Sequence, residues 1–192
     1  TDTGIRLSTT DMEVALRCDV PAVVEKPGAT TLPARRLLSV VRELPSSEIQ
    51  IETDAKSISS IRSGQSFFKI FGLAREEFPA FPTSKDARSL SLKQSVLKDG
   101  LRKTSYAISM DETRYVLNGI LFSFKENTLK LVATDGRRLA LFEETIDAEL
   151  AGKLDLDFIV PTKAINELQR LLNDDGDLTL SVSDNLVSFE LN

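Results

Sequence analysis

The chain has 192 residues, 41% of them hydrophobic and 28% charged, with a net charge of −5 and no histidine. Such a length suits one large domain or two small ones, and the lack of histidine removes Ser-His and Cys-His nucleophile pairs and the commonest zinc ligand. The single cysteine, Cys18, excludes an internal disulfide and fits a reducing compartment; no apolar run approaches a membrane span, and no basic-then-apolar start resembles a signal peptide.

In chain order, "GIRLSTTD" (Gly4 to Asp11) reads as a strand entering a turn. "LPARRLLSVVREL" (Leu32 to Leu44) reads as an amphipathic helix: Pro33 fits the first turn, and Leu37, Val40 and Leu44 form one apolar stripe. "IQIETDAKSISSIRS" (Ile49 to Ser63) reads as a hairpin. "REEFPAFPTSKDARS" (Arg75 to Ser89), with two prolines and a polar run, marks a boundary. "SLSLKQSVLKDGLRKTSYAIS" (Ser89 to Ser109) is a short strand running into a helix. Strands follow around "GILFSF", "TLKLVAT" and "RRLALFEE", with a tight turn at Asp135-Gly136. "VPTKAINELQRLL" (Val160 to Leu172) is a second amphipathic helix, and "LTLSVSDNLVSFEL" (Leu178 to Leu191) a closing hairpin.

Three of these blocks occur twice in the same order. "GIRLSTTD" matches "TLKLVATD", the helix after Pro33 matches the helix after Pro161, and the Ile49 hairpin matches the Leu178 hairpin. Ile165, Leu168 and Leu172 stand where Leu37, Val40 and Leu44 stand. The expected fold is α+β: two copies of one unit, residues 1–82 and 89–192, joined by a linker over 83–88. The first copy has no counterpart of the helix that opens the second. The chain is therefore expected to be a fragment that begins inside its first domain, with the last strand of its second domain also in question.

The basic residues are segregated. Lys93 to Lys103 holds four cations against Asp99, Arg35 to Glu43 three against Glu43, and Lys163 to Arg170 two against Glu167. These helices carry a net +6 in a chain of −5, which leaves −11 elsewhere. A solvated face is the ordinary reading of any one such helix. Here Arg35 matches Lys163 and Arg42 matches Arg170, seven apart in each copy. Repetition in an acidic protein points instead to phosphate contacts that carry no sequence information. No aromatics interleave with them, so single-strand stacking is not indicated.

"RYVLNGILFSF" with "LKLVATDGRRLAL", Arg114 to Leu141, closely resembles the middle domain of the bacterial sliding clamp, the beta subunit of the replicative DNA polymerase III. "PGATTLPARRLLSVVRELP", "IRSGQSFFKI" and "EEFPAFP" resemble its first domain. The resemblance implies the DNA clamp fold, in which repeated domains each pack two helices against antiparallel sheets. It implies a head-to-tail homodimeric ring around double-stranded DNA, with basic helices inside and acidic strands outside. Such a protein is a processivity factor with no catalysis, cofactor or metal. Its partners are polymerase subunits, the clamp loader and repair proteins, held through short peptide motifs. Its location is cytoplasmic, on the bacterial nucleoid, and not at a membrane. A third domain, present in the family, has no counterpart here.

The same resemblance assigns residues. Arg35, Arg36, Arg42, Lys98, Arg102, Lys103, Lys163 and Arg170 are DNA-facing, with Arg114 and Tyr115 on a loop softened by Asp111 and Glu112. Leu117, Thr134, Gly136, Arg137, Arg138 and Leu139 belong to the partner-peptide cleft; the family often has histidine where Arg137 stands. The chemistry is coherent. Leu117 and Leu139 offer an apolar floor, Gly136 lets a backbone approach, and the arginines donate to carbonyls or a carboxylate. Leu117 and Leu139 are expected close together, with the strand after "RYV" packed beside the strand after "TDG". Three other readings compete. A phosphoryl-transfer enzyme using Asp135, Arg137 and Arg138 would need a phosphate cradle, and the sequence has neither a Walker-type loop nor metal-ligand spacing. A generic open DNA binder sits poorly with the acidic charge. A protein-binding scaffold that encircles nothing is the remaining alternative.

Overall fold

The computed structural model describes residues 4–45, 48–83, 87–111, 113–146, 155–183 and 185–192. Thr1, Glu112 and linker residues 84–86 lie outside them. Contacts divide the chain into two units, Thr1–Pro82 and Thr83–Asn192. Among the described residues no helix is long and apolar enough to cross a membrane.

In unit 1, β1 (Gly4–Thr10) and β2 (Ala15–Pro21) form an antiparallel hairpin. Arg6 and Asp19 sit directly opposite each other and are joined by two 2.7 Å contacts. The helix α1 (Ala34–Glu43) follows Pro33, which takes the N-cap one residue before the first turn, at φ −62°. Then β3 (Gln50–Thr53), β4 (Ile58–Ser63) and β5 (Ser66–Phe71) make a three-stranded antiparallel sheet. The spacing of three and four brings Val40 into a small core with Ile61 and Ile70, and Leu37 and Leu44 pack beside them. Paired backbone bonds between Thr31 and Leu73, 2.8 and 3.1 Å, tie the helix entry to the strand exit. The "EEFPAFP" segment returns to the hairpin, where Arg17 lies 3.9 Å over the ring of Phe81.

Unit 2 opens with β6 (Arg88–Lys93), which passes without an intervening residue into α2 (Gln94–Thr104). After them come β7 (Gly119–Lys125), β8 (Thr128–Thr134), β9 (Leu139–Thr145) and β10 (Leu156–Pro161). The last runs straight into α3 (Thr162–Leu171), and β11 (Asp177–Val182) and β12 (Val187–Leu191) close the unit. Two antiparallel sheets result, in the orders β10-β7-β8-β9 and β12-β11-β6. Glu126 and Asn127, both at positive φ, make the two-residue turn between β7 and β8. Alternation sends Ile120, Phe122, Phe124, Leu129, Leu131, Ala133, Ala140 and Phe142 inward against Leu97 and Leu101 of α2. Ile165 and Leu168 of α3 complete that core with Leu178 and Leu180.

The strand after "RYV" does not lie beside the strand after "TDG": β8 stands between β7 and β9. Tight turns join β7 to β8 and β8 to β9, so the meander leaves no room for direct β7–β9 pairing.

Candidate functional site

The Thr134–Leu139 turn is built by its own side chains. Thr134 Oγ1 accepts the Gly136 N–H at 3.1 Å and donates to the Arg138 carbonyl at 2.7 Å. Asp135 Oδ1 accepts the N–H groups of Arg137 and Arg138 at 2.9 and 3.0 Å, and Oδ2 accepts Arg138 Nε at 3.0 Å. These donors, Arg137 N–H first, hold the Asp135 carboxyl below the ordinary range. Gly136 takes φ +85°, a conformation that strains any residue with a Cβ.

The two arginines differ in consequence. Arg138 is held by Asp135 and its guanidinium lies 5.6 Å from the centre of the Tyr106 ring. Arg137 projects from the turn, exposed. Leu139, the first residue of β9, is 64% exposed. It is not isolated. Register places Ile159, Leu121, Val132 and Leu141 in one apolar row across the outward face of all four strands, with Leu141 two residues along from Leu139. The next row, Asp157, Ser123, Lys130 and Glu143, is polar.

Tyr115, Val116 and Leu117 form a 3-10 turn before β7. Because β7, β8 and β9 are antiparallel, this turn and the Thr134–Leu139 turn share one end of the sheet, about two strand spacings or roughly 10 Å apart. Arg114 spans the gap: its Nη1 lies 3.5 Å from where a side chain on Gly136 would begin. Arg114, expected on the DNA side, thus stands beside the turn glycine; its Nε is 3.6 Å from Asp111. Tyr115 is 80% exposed. Tyr106 joins the cluster unannounced by local pattern, because it reaches Arg138 only through the packing of α2 on β9.

The helix cations fall into two groups. On α1, Arg35, Arg36 and Arg42 are exposed and make no ion pair among the described residues. On α2, Lys98 pairs with Asp174 at 2.8 Å, and Arg102 and Lys103 both pair with Asp99 at 2.6 Å. Arg170 of α3 reaches Glu167 at 3.2 Å. Lys163 is exposed and engaged.

Unit 1 repeats the three backbone N–H bonds of the turn. Met12 N–H donates to Thr10 Oγ1, and the N–H groups of Glu13 and Val14 donate to Asp11 Oδ1. Met12 occupies the glycine position at φ 75°. The frame is the same, but its side chains are Met12, Glu13 and Val14 where unit 2 has Gly136, Arg137 and Arg138. A shallow cavity of about 560 Å³ in this unit, between Pro27, Gly28, Asp54, Ser57, Arg75 and Glu76, is lined by none of the assigned residues.

Two antiparallel-sheet units with one helix–hairpin plan, and a clustered turn at a sheet end, define a repeated clamp-type architecture. The profile of the DNA polymerase III beta subunit's N-terminal domain matches residues 1–82, and that of its central domain residues 91–192. The chain belongs to the DNA polymerase III beta subunit family, the beta sliding clamps. It is 35% identical over 185 residues to the beta sliding clamp of Chlamydia muridarum, covering 95% of this chain and 50% of that protein. Against the Bacillus subtilis clamp it is 28% identical, over 92% of this chain and 48% of the other. Among solved structures, a putative beta subunit from Eubacterium rectale superposes with TM-score 0.91 at 27% identity, covering 98% of this chain and 52% of that one. The Bartonella birtlesii clamp bound to griselimycin superposes with TM-score 0.88 at 35% identity, over all of this chain and 52% of that one. The chain spans about half the length of the curated relatives it matches.

Proposed function

We propose that this chain is the first two domains of a processivity clamp that encircles duplex DNA and tethers the replicative polymerase, the clamp loader and repair proteins to it. The observation that carries this reading is the repeated unit with cations at matching helix positions, Arg35 with Lys163 and Arg42 with Arg170, in a chain of net charge −5. Cations gathered on helices over an acidic remainder suit a duplex held by its phosphates, without sequence preference. Arg36, Lys98, Arg102, Lys103 and Tyr115 add to those contacts. The Thr134–Leu139 turn is the partner site: Leu139 and the apolar row behind it take hydrophobic side chains, Arg137 is an exposed donor, and Gly136 leaves room for the peptide backbone. Leu117 and Arg114 close the near side. No step of this function is catalytic. It acts in the cytoplasm, on the nucleoid.

The test uses rings assembled from subunits that carry these residues. They are retained on closed circular DNA and lost from linear DNA. Glutamate at Arg35, Arg42, Lys163 and Arg170 reduces retention, more so at high salt. Equal retention on both DNA forms sinks encirclement and favours a scaffold that binds protein alone. In a second arm, calorimetry with a polymerase-type peptide ending in apolar residues shows Leu139→Asp weakening capture by about tenfold or more, because the bound complex buries an unpaired carboxylate. Unchanged affinity in a folded variant reduces the turn to a hairpin.

A further inference from the structure

The cations proposed to face DNA are not alike, and on α2 a single carboxylate holds two of them. Asp99 lies on α2 three and four residues before Arg102 and Lys103, the spacing at which helix neighbours meet. Both its oxygens are used: Oδ1 takes Arg102 Nη2 and Oδ2 takes Lys103 Nζ, each at 2.6 Å. Lys103 is drawn down further, with Nζ 5.4 Å from the centre of the Phe142 ring on β9. The hydrogen bond from Lys103, followed by that from Arg102, keeps the Asp99 carboxyl below its ordinary range, so it is ionised at neutral pH. No such residue restrains Arg35, Arg36 or Arg42 on α1, which make no ion pair among the described residues.

We infer that Asp99 is an internal competitor for phosphate, which occupies Arg102 and Lys103 until a DNA phosphate displaces it. The inference rests on the DNA-facing reading of α2. A carboxylate and a phosphate oxygen seek the same N–H donors, so contact on α2 exchanges one ion pair for another and gains little net affinity. Contact on α1 exchanges solvent for phosphate and gains more. Cation for cation, α1 then gives the firmer phosphate contact and α2 the weaker one, with Asp99 setting how weak it is.

The experiment follows a fluorescein-labelled duplex by anisotropy, with the whole 192-residue chain, from low to physiological salt. Asp99→Asn keeps the shape and removes the charge. The expected result is tighter binding, about three- to tenfold at low salt given the modest strength of exposed pairs. The plot of log affinity against log salt should also steepen by up to about two, one for each cation released to phosphate. Removing both cations with Arg102→Gln and Lys103→Gln in the Asp99→Asn background abolishes the gain and brings the slope back to about its starting value. A purely structural role for Asp99 would move the melting temperature and leave the slope alone. Equal affinity and slope for the chain and Asp99→Asn overturn the inference. A gain that persists in the triple variant also overturns it, because Arg102 and Lys103 are then not its source. Arg35→Glu with Arg42→Glu tests the parent reading separately: unchanged binding there refutes DNA contact by α1 while leaving the α2 comparison standing. Absence of duplex binding by every protein at the lowest salt overturns the inference and leaves the ring test to decide encirclement.

Discussion

Met12 and Gly136 occupy the same place in one turn. In both units a Thr-Asp pair gathers three backbone N–H groups, and the residue after the aspartate is forced to positive φ, 75° in one copy and 85° in the other. For a residue with a Cβ the left-handed region costs about 1–2 kcal/mol; glycine avoids the strain but loses more freedom on folding. Met12→Gly is therefore expected to stabilise the protein by less than about 1 kcal/mol, and Gly136→Ala to destabilise it by about 1 kcal/mol. Urea denaturation of the two variants reads both signs. If Gly136→Ala costs nothing, the turn relaxes more easily than its bonds imply. The change should also weaken peptide capture, since a methyl there fills space that is otherwise open to a peptide backbone, with only Arg114 Nη1 near, at 3.5 Å.

At the scale of elements, Gly100 shows how packing overrides propensity. It sits inside α2, where alanine would be favoured by about 1 kcal/mol. A side chain there would begin 2.6 Å from Leu131 and 2.8 Å from Phe142, both in the core. Gly100→Ala is expected to lower stability by about 1–3 kcal/mol despite its better helix propensity, and a rise in thermal midpoint would refute the close approach of α2 to the sheet. Much of this layer was legible in the sequence. Alternation announced β7, β8 and β9, whose inward residues Phe122, Leu131 and Phe142 are all buried. The three-four stripe announced α1 and α3, with Val40, Ile165 and Leu168 on the core side. The apolar-Pro-small-basic repeat set the two helices in matching places. What stayed hidden depends on partners distant in sequence. The pairing of β6 with β11 joins Leu90 to Leu180; the seat of β8 between β7 and β9, the stacking of Arg138 on Tyr106 and the reach of Arg114 to Gly136 have no local signature. The turn was legible as a hairpin but not as a cage, because Asp-Gly signals a reversal without saying where the carboxylate bonds.

For the molecule as a whole, acid is the informative perturbation. Asp19, Asp54, Asp99, Asp111, Asp135 and Asp157 are all held below the ordinary carboxylate range, in both units. A depressed folded-state pKa stabilises above the unfolded value, about 4, and that contribution fades as pH falls through the lower folded values. The thermal midpoint is thus expected to be flat above about pH 5 and to fall below about pH 4. Added salt should shrink the part owed to Asp19, whose largest partner is the exposed Arg6, and spare the part owed to Asp54 and Asp135, bound first by backbone N–H groups. A midpoint that rises on acidification contradicts the assignment. One further feature acts at this scale. In unit 2, β6 enters α2 and β10 enters α3 with no residue between, and the buried Gln94 amide bonds the carbonyls of Asp177 and Asn192 at the root of α2. Each helix is cantilevered from its strand and cannot swing unless the sheet deforms with it. A surface mounted this way moves with its sheet. In the proposed ring, these two helices would offer each passing run of base pairs the same cations at the same spacing, whatever the duplex encodes.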